Sequence, residues 1–342
     1  MIQVVKIEEA VGYPLAHDIT EIVPGEFKGP AFKRGQILSC RDLDHLRRLG
    51  KNHLYVLRPE NDEMHEDDAA KAIANSLCGK GVGWSGEPRE GKVSIKAMQD
   101  GLLKIDVEAL NRFNETGEVM CATRHTNTVV KKGTQVAATR AIPLLIPSKK
   151  VDEAVAHAQR SEQGVLRVLP MRKARVGVLI TGNEVFSGRI EDKFESIIRT
   201  KVNELDGQII DVIFVPDDDN LIVDAALRLV SEGADTLVTT GGMSVDPDDR
   251  TRFALKKAGV EDMVYGSAVL PGAMFMVGYL KNIPVLGIPA CGMYAARTIF
   301  DLIYPRVLTN EIITRKEIAA LGHGGLCLKC KTCNFPDCSF GK

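Results

Sequence analysis

The second half of the chain alternates apolar strands with helices, and this order restricts the fold more than any other feature of the sequence. Apolar runs predict strands at residues 175–180, 208–215, 236–239, 263–269, 274–279 and 285–288. Helical spacing follows at residues 194–205, 221–232, 250–258 and 295–308. Alternation of this kind builds a largely parallel sheet with helices on both faces. We therefore predict a three-layer α/β/α domain in residues 165–312.

Ligands of such sheets bind outside the carboxyl ends of the strands. The loops that follow four of the predicted strands are therefore the candidate site. These loops are Thr181-Gly182-Asn183-Glu184, Pro216-Asp217-Asp218-Asp219-Asn220, residues 240–249, and Pro289-Ala290-Cys291-Gly292.

The third loop passes from a buried strand to a glycine turn and then to acidic residues. Gly241 and Gly242 allow a tight turn and the close approach of a ligand, while Thr240 and Ser244 add hydroxyls. The N–H groups of the following helix would point back toward the loop, which outlines an anion site. The aspartates of residues 246–249 would repel an anion unless a cation joined them, and Mg²⁺ is commonly held by one or two carboxylates with substrate phosphates. We therefore predict phosphate and magnesium together; a glycine turn with helix-capping aspartates is the alternative.

Charge and hydropathy limit the kinds of partner that this chain is expected to bind. Lysine and arginine number 44 against 45 aspartate and glutamate, which gives a formal net charge of −1. This balance does not favour nucleic acid or an anionic membrane as a partner. The first residues lack the basic start and long apolar run of a secretory leader, and no apolar run is long enough to span a bilayer. We therefore expect a soluble, cytoplasmic protein, and 342 residues suit two or three domains.

Residues 1–150 predict a smaller and less regular mixed α+β region. Helical spacing predicts helices at residues 42–49, 67–78 and 107–114. Strands at residues 92–98 and 102–105 are expected to pair across the turn Asp100-Gly101. Prolines and lysines in residues 143–150 mark a domain boundary.

Two nucleotide-binding folds are excluded by their motifs. Residues 178–182 offer no Gly-x-Gly-x-x-Gly, and no Gly-x-x-x-x-Gly-Lys-Ser/Thr occurs in the chain. Taken in order, the four loops instead resemble the molybdopterin-binding domain that molybdopterin molybdenumtransferases and molybdopterin adenylyltransferases share. The resemblance covers roughly residues 175–310. Residues 7–19 also resemble the opening of the molybdenumtransferase, and residues 29–35 with 54–57 suit a small β-rich accessory part, but the transferase's Asp-Gly-Tyr-Ala segment is missing.

The resemblance rests on two motifs. Residues 181–184 are similar to the family's Thr-Gly-Asp-Glu, and residues 239–249 are similar to its Gly-Gly-x-Ser-x-Gly-x-x-Asp signature. By this alignment Asp249 falls on the family's acidic catalytic position, and Asp192 falls on the aspartate that begins the following helix. The resemblance therefore implies Asp192 and Asp249 as catalytic residues and as Mg²⁺ ligands. The substrate-binding residues it implies are Thr181, Gly182, Asn183, Glu184, Thr240, Gly241, Gly242, Ser244, Pro289 and Cys291.

Three departures from the family pattern bear on catalysis. Asn183 replaces an aspartate, Ala273 stands where the transferase has lysine in Pro-Gly-Lys-Pro, and residues 288–292 replace Leu-Pro-Gly-Asn-Pro and introduce Cys291. Loss of a group that stabilises transition-state charge lowers a rate roughly a hundredfold or more. Arg297, further along the chain, is a candidate replacement for the missing cation.

The resemblance implies a function in molybdenum cofactor biosynthesis. The substrate would be molybdopterin or adenylylated molybdopterin, and molybdate would exchange onto the dithiolene with loss of AMP. One alternative is a molybdopterin-binding carrier, chaperone or sensor that lacks catalysis, and another is a nucleotide pyrophosphatase. Family members often form homo-oligomers through this domain, so we expect one here.

The last residues carry a second strong signal. Cys327, Cys330, Cys333 and Cys338 lie within twelve residues of a chain expected to be cytoplasmic, where clustered cysteines bind metal more often than they form disulfides. Four thiolates suit Zn²⁺ or an iron–sulfur cluster. The segment alone is too short to bury a core, so metal binding is expected to decide whether it folds. The usual molybdenumtransferase has no such tail, which points to a molybdoenzyme or redox partner, or to metal sensing.

Overall fold

The computed structural model describes residues 2–23, 26–57, 62–243 and 249–342. The chain forms two compact units, one of Met1–Arg124 with Val130–Val168 and the other of His125–Val129 with Leu169–Lys342. None of the helices in these described ranges has the length and apolar character needed to cross a membrane.

The first part of the chain is built from short strands and helices. In order they are β1 (Ile2–Lys6), a 3-10 helix (Ile7–Ala10), β2 (Ile19–Val23), β3 (Phe27–Phe32), a 3-10 helix (Cys40–Asp42), α1 (Leu43–Arg48), β4 (His53–Leu57), β5 (Glu63–His65), α2 (Glu66–Leu77), β6 (Val82–Gly83), β7 (Lys92–Ala97), β8 (Gly101–Ile105), α3 (Val107–Glu115), β9 (Val119–Thr123), β10 (Val129–Val130), β11 (Gln135–Ala141), β12 (Leu145–Pro147), α4 (Ser148–Gln159) and β13 (Leu166–Leu169).

Two apolar cores stabilise the first unit. The smaller one gathers residues of the first 56 positions, among them Ile7, Leu46 and Val56. The larger one packs α2, α3 and α4 against the sheet β6-β7-β11-β9. The predicted boundary at residues 143–150 therefore lies inside this unit, because α4 buries Val151 and Ala154 in the same core as α2.

The prediction of a hairpin between β7 and β8 is wrong. Strand β7 pairs with β11 and β6, whereas β8 belongs to a different sheet. The reason lies in Asp100, whose carboxylate accepts hydrogen bonds from the Lys132 N–H at 2.7 Å and from the Lys131 ammonium at 3.1 Å. Asp100 thus holds a distant loop instead of closing a two-residue turn.

The second unit carries the regular alternation that the sequence predicts. Its elements are β14 (Arg175–Thr181), α5 (Asn183–Phe186), α6 (Phe194–Asn203), β15 (Gln208–Val215), α7 (Asp219–Ser231), β16 (Thr236–Thr240), α8 (Thr251–Lys257), β17 (Val260–Tyr265), β18 (Met276–Leu280), β19 (Ile283–Ile288), a 3-10 helix (Ala290–Met293), α9 (Ile299–Val307) and α10 (Arg315–Ala320).

These strands form one six-stranded sheet in the order β15-β14-β16-β19-β18-β17. The first four strands are parallel, and β18 runs antiparallel to both of its neighbours, β19 and β17, so the sheet is mixed. Residues of α6 and α9 join the apolar core on one face. Residues of α7 and α8 join the core on the other. The predicted α/β domain is present, with its parallel part at the candidate site.

The cysteine-rich C-terminal segment packs on this sheet domain. Phe340 is 3% exposed and belongs to the core beneath α9, and Cys327, Phe335 and Cys338 contact the same core. The segment therefore packs on the core of the sheet domain, and the expected dependence of its folding on metal stays a prediction.

A buried ion pair joins α6 to α9. The Lys201 ammonium lies 2.7 and 2.8 Å from the two carboxylate oxygens of Asp301, and it also donates to the Ala296 carbonyl at 3.1 Å. Both side chains are more than nine-tenths buried. Removing one partner of such a pair leaves an uncompensated charge in the core.

We expect Lys201→Ala to lower the free energy of unfolding of the second unit by about 2–3 kcal/mol. The buried Asp301 carboxylate loses its ammonium partner and keeps the Arg297 guanidinium, at 2.9 Å, as its remaining cation. The matched control is Arg199→Ala on the same helix, which breaks an exposed ion pair with Glu195. Exposed pairs contribute less than about 1 kcal/mol. Chemical denaturation followed by circular dichroism measures both variants, and equal losses would contradict the assignment.

Candidate functional site

The four predicted loops meet at one edge of the sheet. They follow β15, β14, β16 and β19, which are consecutive neighbours in the sheet, and parallel strands end at a common edge. The loop between Met243 and Asp249 lies outside the described residues, and Ser244 with it. The edge is therefore described from the remaining parts of each loop.

The glycine turn after β16 packs directly against the end of β14. Gly241 and Gly242 both have left-handed backbone, with φ of +85° and +52°. A Cβ on Gly241 would lie 2.0 Å from the Thr181 carbonyl oxygen, and one on Gly242 would lie 2.3 Å from the Thr251 Oγ1. Both positions need glycine for conformation and for space.

Threonine hydroxyl groups stabilise the contact between the glycine turn and the end of β14. The hydroxyls of Thr181 and Thr251 lie 2.8 Å apart, and Thr181 Oγ1 also donates to the Thr240 carbonyl at 3.3 Å. The Thr251 N–H donates to the Gly242 carbonyl at 3.1 Å. The Thr240 hydroxyl is buried and has no hydrogen-bond partner among the residues that the structure describes. A buried hydroxyl without a partner is a feature that a ligand or a water accounts for.

The loops after β14 and β15 are joined by a reciprocal pair. The Asn183 N–H donates to Asp217 Oδ2 at 3.0 Å, and the Asp217 N–H donates to Asn183 Oδ1 at 3.3 Å. An aspartate at position 183 would place a second carboxylate beside Asp217. The amide therefore keeps the hydrogen bond and avoids the repulsion of like charges.

Asp192 caps a helix in this structure. Its carboxylate accepts from the Phe194 N–H at 3.1 Å and the Glu195 N–H at 2.8 Å, at the start of α6. Asp249, half-buried, directly precedes Arg250, whose guanidinium makes a two-point ion pair with Asp219 at the start of α7.

Within the ranges that the structure describes, no three His, Cys, Asp or Glu residues form a group that could hold a metal ion. Each oxygen of Asp192 keeps a second lone pair beyond its capping bond, so the donor chemistry suits Mg²⁺ only where a ligand supplies further oxygens.

The loop after β19 turns toward the C-terminal segment. Cys291 is half-buried in the 3-10 helix, and burial raises the pKa of its thiol. Pro289 is buried, whereas Ala290 after it and Glu184 in the first loop are exposed. Arg297 donates to Glu204 at 2.7 Å and to Asp301 at 2.9 Å, so it is held by two carboxylates and does not replace the lysine missing at position 273.

The second unit is thus an α/β domain with its candidate site at the carboxyl edge of its sheet. Residues 177–309 match the family described as a probable molybdopterin binding domain. The resemblance expected from the loop motifs is therefore confirmed for this part of the chain. Residues 4–58 match a domain of unknown function.

Curated relatives agree with this assignment. A molybdopterin molybdenumtransferase of Haemophilus influenzae is 30% identical over 151 residues, which cover 42% of this chain and 37% of that protein. A CinA-like protein of Syntrophus aciditrophicus is 34% identical over 84 residues, or 25% of this chain and 20% of that protein. The chain spans well under half the length of either relative.

Solved structures are similar in the same region and beyond it. A molybdopterin biosynthesis moea protein from Pyrococcus horikosii is 16% identical with a TM-score of 0.34, and the match covers 91% of this chain and 75% of that one. The protein CinA from Thermoplasma acidophilum is 16% identical with a TM-score of 0.35, over 40% of this chain and 98% of that one.

Sequence reasoning missed the residues that hold the loops together. Thr251 and Asp217 bond to predicted site residues, yet they lie seventy and thirty-four positions from Thr181 and Asn183. The run of aspartates after β15 points to Asp217, whereas no local pattern points to the contact between Thr181 and Thr251.

A further polar cavity, of about 290 Å³, lies in the first unit. Glu66 lines it and is 7% exposed, and neither of its neighbours Arg140 and Arg34 pairs with its carboxylate. Burial, with the adjacent Asp67 carboxylate, raises the pKa of Glu66 from 4.5 to about 7. The folded chain therefore holds a proton here that the unfolded chain has released.

We expect Gly241→Ala to destabilise the second unit by about 2–4 kcal/mol, because the added methyl group collides with the Thr181 backbone and strains a left-handed residue. Gly188→Ala is the matched control, since Gly188 also has positive φ, at +71°, but open space around its Cβ position. It should lose only about 1 kcal/mol. Thermal unfolding of both variants measures the difference, and a loss in Gly188→Ala as large as that in Gly241→Ala would contradict the steric argument.

We expect Glu66→Gln to stabilise the chain at pH 8 by about 1–3 kcal/mol and by less at pH 5. The folded pKa lies above the unfolded one, so wild-type stability falls as the pH rises from about 4.5 to about 7. Unfolding midpoints measured at both pH values test this. The control is Glu115→Gln, an exposed glutamate at the end of α3, which should leave the pH dependence unchanged. A wild-type stability that does not change across this window would contradict the raised pKa of Glu66.

Proposed function

We propose that the protein acts in molybdenum cofactor biosynthesis as a divergent molybdopterin molybdenumtransferase. It binds adenylylated molybdopterin at the carboxyl edge of the second-unit sheet and exchanges molybdate onto the dithiolene with release of AMP. The observation that carries the proposal is the convergence of the matched family's loops, which Thr181, Thr251, Asn183 and Asp217 hold together.

The chain's own groups account for binding. Gly241 and Gly242 place backbone N–H groups at the edge without side chains to cover them, which suits a phosphate. The unpartnered Thr240 hydroxyl lies directly before them. Mg²⁺ bound by Asp192 and Asp249 with the ligand's own phosphates would neutralise charge on the phosphoanhydride.

The described residues near position 273 differ from the family's lysine-bearing segment. Ala273 offers no cation, and Arg297 is held by Glu204 and Asp301. These observations favour the second candidate, a molybdopterin-binding carrier, chaperone or sensor without turnover. The third candidate, a nucleotide pyrophosphatase, rests on the similarity to CinA-like protein alone.

The proposal extends to metal and partners. Cys327, Cys330, Cys333 and Cys338 would hold Zn²⁺ or an iron–sulfur cluster, and their mixed exposure leaves the outer pair accessible to an incoming ion. The protein would act as a homo-oligomer and deliver its product to a molybdoenzyme or a redox partner.

The deciding experiment follows AMP release from adenylylated molybdopterin with Mg²⁺, with and without molybdate. We expect molybdate-dependent release, and we expect Asp249→Ala to reduce it roughly a hundredfold or more while pterin binding persists more weakly. Asp224→Ala, an exposed aspartate on α7, is the matched control and should release AMP like the wild type.

Other outcomes select among the candidates. Tight pterin binding without AMP release identifies a carrier or sensor. Release without molybdate identifies a pyrophosphatase. A chain that binds neither molybdopterin nor its adenylylated form overturns all three, and full release by Asp249→Ala removes that residue from the chemistry.

A further inference from the structure

The polar cavity of the first unit, with its volume of about 290 Å³, is lined mainly by polar and charged side chains. Several of them are already bonded within the fold. The Arg34 guanidinium donates to Asp67 at 3.1 Å, and the Arg34 N–H donates to Asp18 at 2.7 Å. His65 Nε2 donates to the Ala16 carbonyl at 2.7 Å. These groups hold the wall of the cavity together.

Two lining groups differ, because they are withdrawn from solvent without a partner. Glu66 is 7% exposed, and its carboxyl group has no hydrogen-bond partner in the part of the chain that the structure describes. The Arg140 Nε is buried and likewise has no acceptor among the described residues. Buried polar groups in folded proteins are normally hydrogen-bonded. A carboxyl and a guanidinium that line one cavity without pairing are therefore groups that one ligand can satisfy together.

Regular secondary structure positions both groups. Glu66 is the first residue of α2, and its N–H donates to the Leu144 carbonyl at 2.9 Å. Its Oε2 lies against Gly91, where an added Cβ would come within 2.9 Å of it. Arg140 lies on β11, which pairs with β7 on one side and with β9 on the other. The backbone that carries each group is thus fixed before a ligand binds.

The charge of the cavity favours an anion with a single charge. Burial, with the neighbouring Asp67 carboxylate, raises the pKa of Glu66 to about 7, so much of it is protonated near neutral pH. The rest of the described lining carries three guanidinium groups and three carboxylates, on Arg34, Arg89, Arg140, Asp18, Asp67 and Glu90. These charges cancel, so a second negative charge on a ligand would be repelled. The other titratable lining residues are Tyr55, His17 and His65, and burial lowers the pKa of His65.

The remaining lining is apolar. Pro88 is buried, Leu144 is half-buried, and the exposed side chains of Tyr55 and Ile142 complete this part. Ligand pockets usually have volumes of about 300–1,000 Å³, so this cavity is a small one. It suits a short organic acid, whose carboxylate bonds to the polar groups and whose hydrocarbon part contacts the apolar side chains.

We propose that this cavity binds a small organic monocarboxylate, which accepts hydrogen bonds from the Arg140 guanidinium and from the protonated carboxyl group of Glu66. Because the ligand is an anion, its binding favours the protonated form of Glu66, and an ionised Glu66 takes up a proton from solvent as the ligand binds. Affinity therefore falls as the pH rises through the pKa of Glu66. The site lies in the first unit alone, so this inference does not depend on the function proposed above.

The test titrates the full chain with sodium acetate, butyrate and benzoate by isothermal titration calorimetry at constant ionic strength. We expect binding at pH 6 to be about tenfold tighter than at pH 8, because the protonated fraction of Glu66 falls about tenfold over that interval. Titrations at pH 8 in two buffers of different ionisation enthalpy should show uptake of about one proton per ligand. Inorganic phosphate and butylamine should bind more weakly than the carboxylates.

Variants separate the two groups. Glu66→Gln replaces the carboxyl by an amide that donates at every pH, so at pH 8 it should bind about tenfold more tightly than the wild type and lose the pH dependence. Arg140→Gln should weaken binding roughly tenfold to a hundredfold, the range expected for a hydrogen bond to a charged group. Arg160→Gln, at an exposed arginine after α4, is the matched control and should bind like the wild type.

Absence of binding by all three carboxylates at pH 6 would overturn the proposal. Equal affinity at pH 6 and pH 8 would also overturn it, as would a pH dependence that persists in Glu66→Gln. Tighter binding of phosphate or butylamine than of any carboxylate would overturn the assigned class of ligand. The wild-type titrations need no variant, so they decide the proposal even if Arg140→Gln does not fold.

Discussion

The carboxyl edge of the second-unit sheet depends on the absence of side chains at Gly241 and Gly242. The turn after β16 lies so close to the end of β14 that a Cβ at position 241 would meet the Thr181 carbonyl at 2.0 Å. This contact sets the distance between two site loops, and the threonine hydroxyls then fix their angle. Glycine in this motif therefore serves the packing of the protein as well as the approach of a ligand.

A second constraint places the opposite side of the site. The buried pair of Lys201 and Asp301 ties α6 to α9, and the Lys201 ammonium also holds the backbone of Ala296 after β19. Arg297 adds a bond from the same stretch to Asp301. The loop after β19, which departs most from the family pattern, is thus supported from within the core. Its cationic residue, Arg297, is held by Glu204 and Asp301.

The elements of the alternating part of the fold are predictable from the sequence, because the hydrophobic period and the length of each run both distinguish strand from helix there. Strand β15, for example, has the predicted bounds. The predictions are wrong where contacts between residues distant in the sequence determine the structure. Asp100 bonds to Lys132 instead of closing a hairpin, and α4 joins the first core despite the prolines before it. The same is true of Asp192 in the candidate site. An aspartate just before a helix fits a helix cap and a metal ligand equally well, so the sequence does not distinguish the two roles.

The bond between Asn183 and Asp217 has a thermodynamic meaning of its own. A neutral amide holds the two loops together without a cation between them, so their relative position does not depend on metal occupancy. A ligand then meets loops that are already ordered, and less conformational entropy is lost when it binds. The amide at position 183 thus contributes to the order of the two loops before any ligand binds.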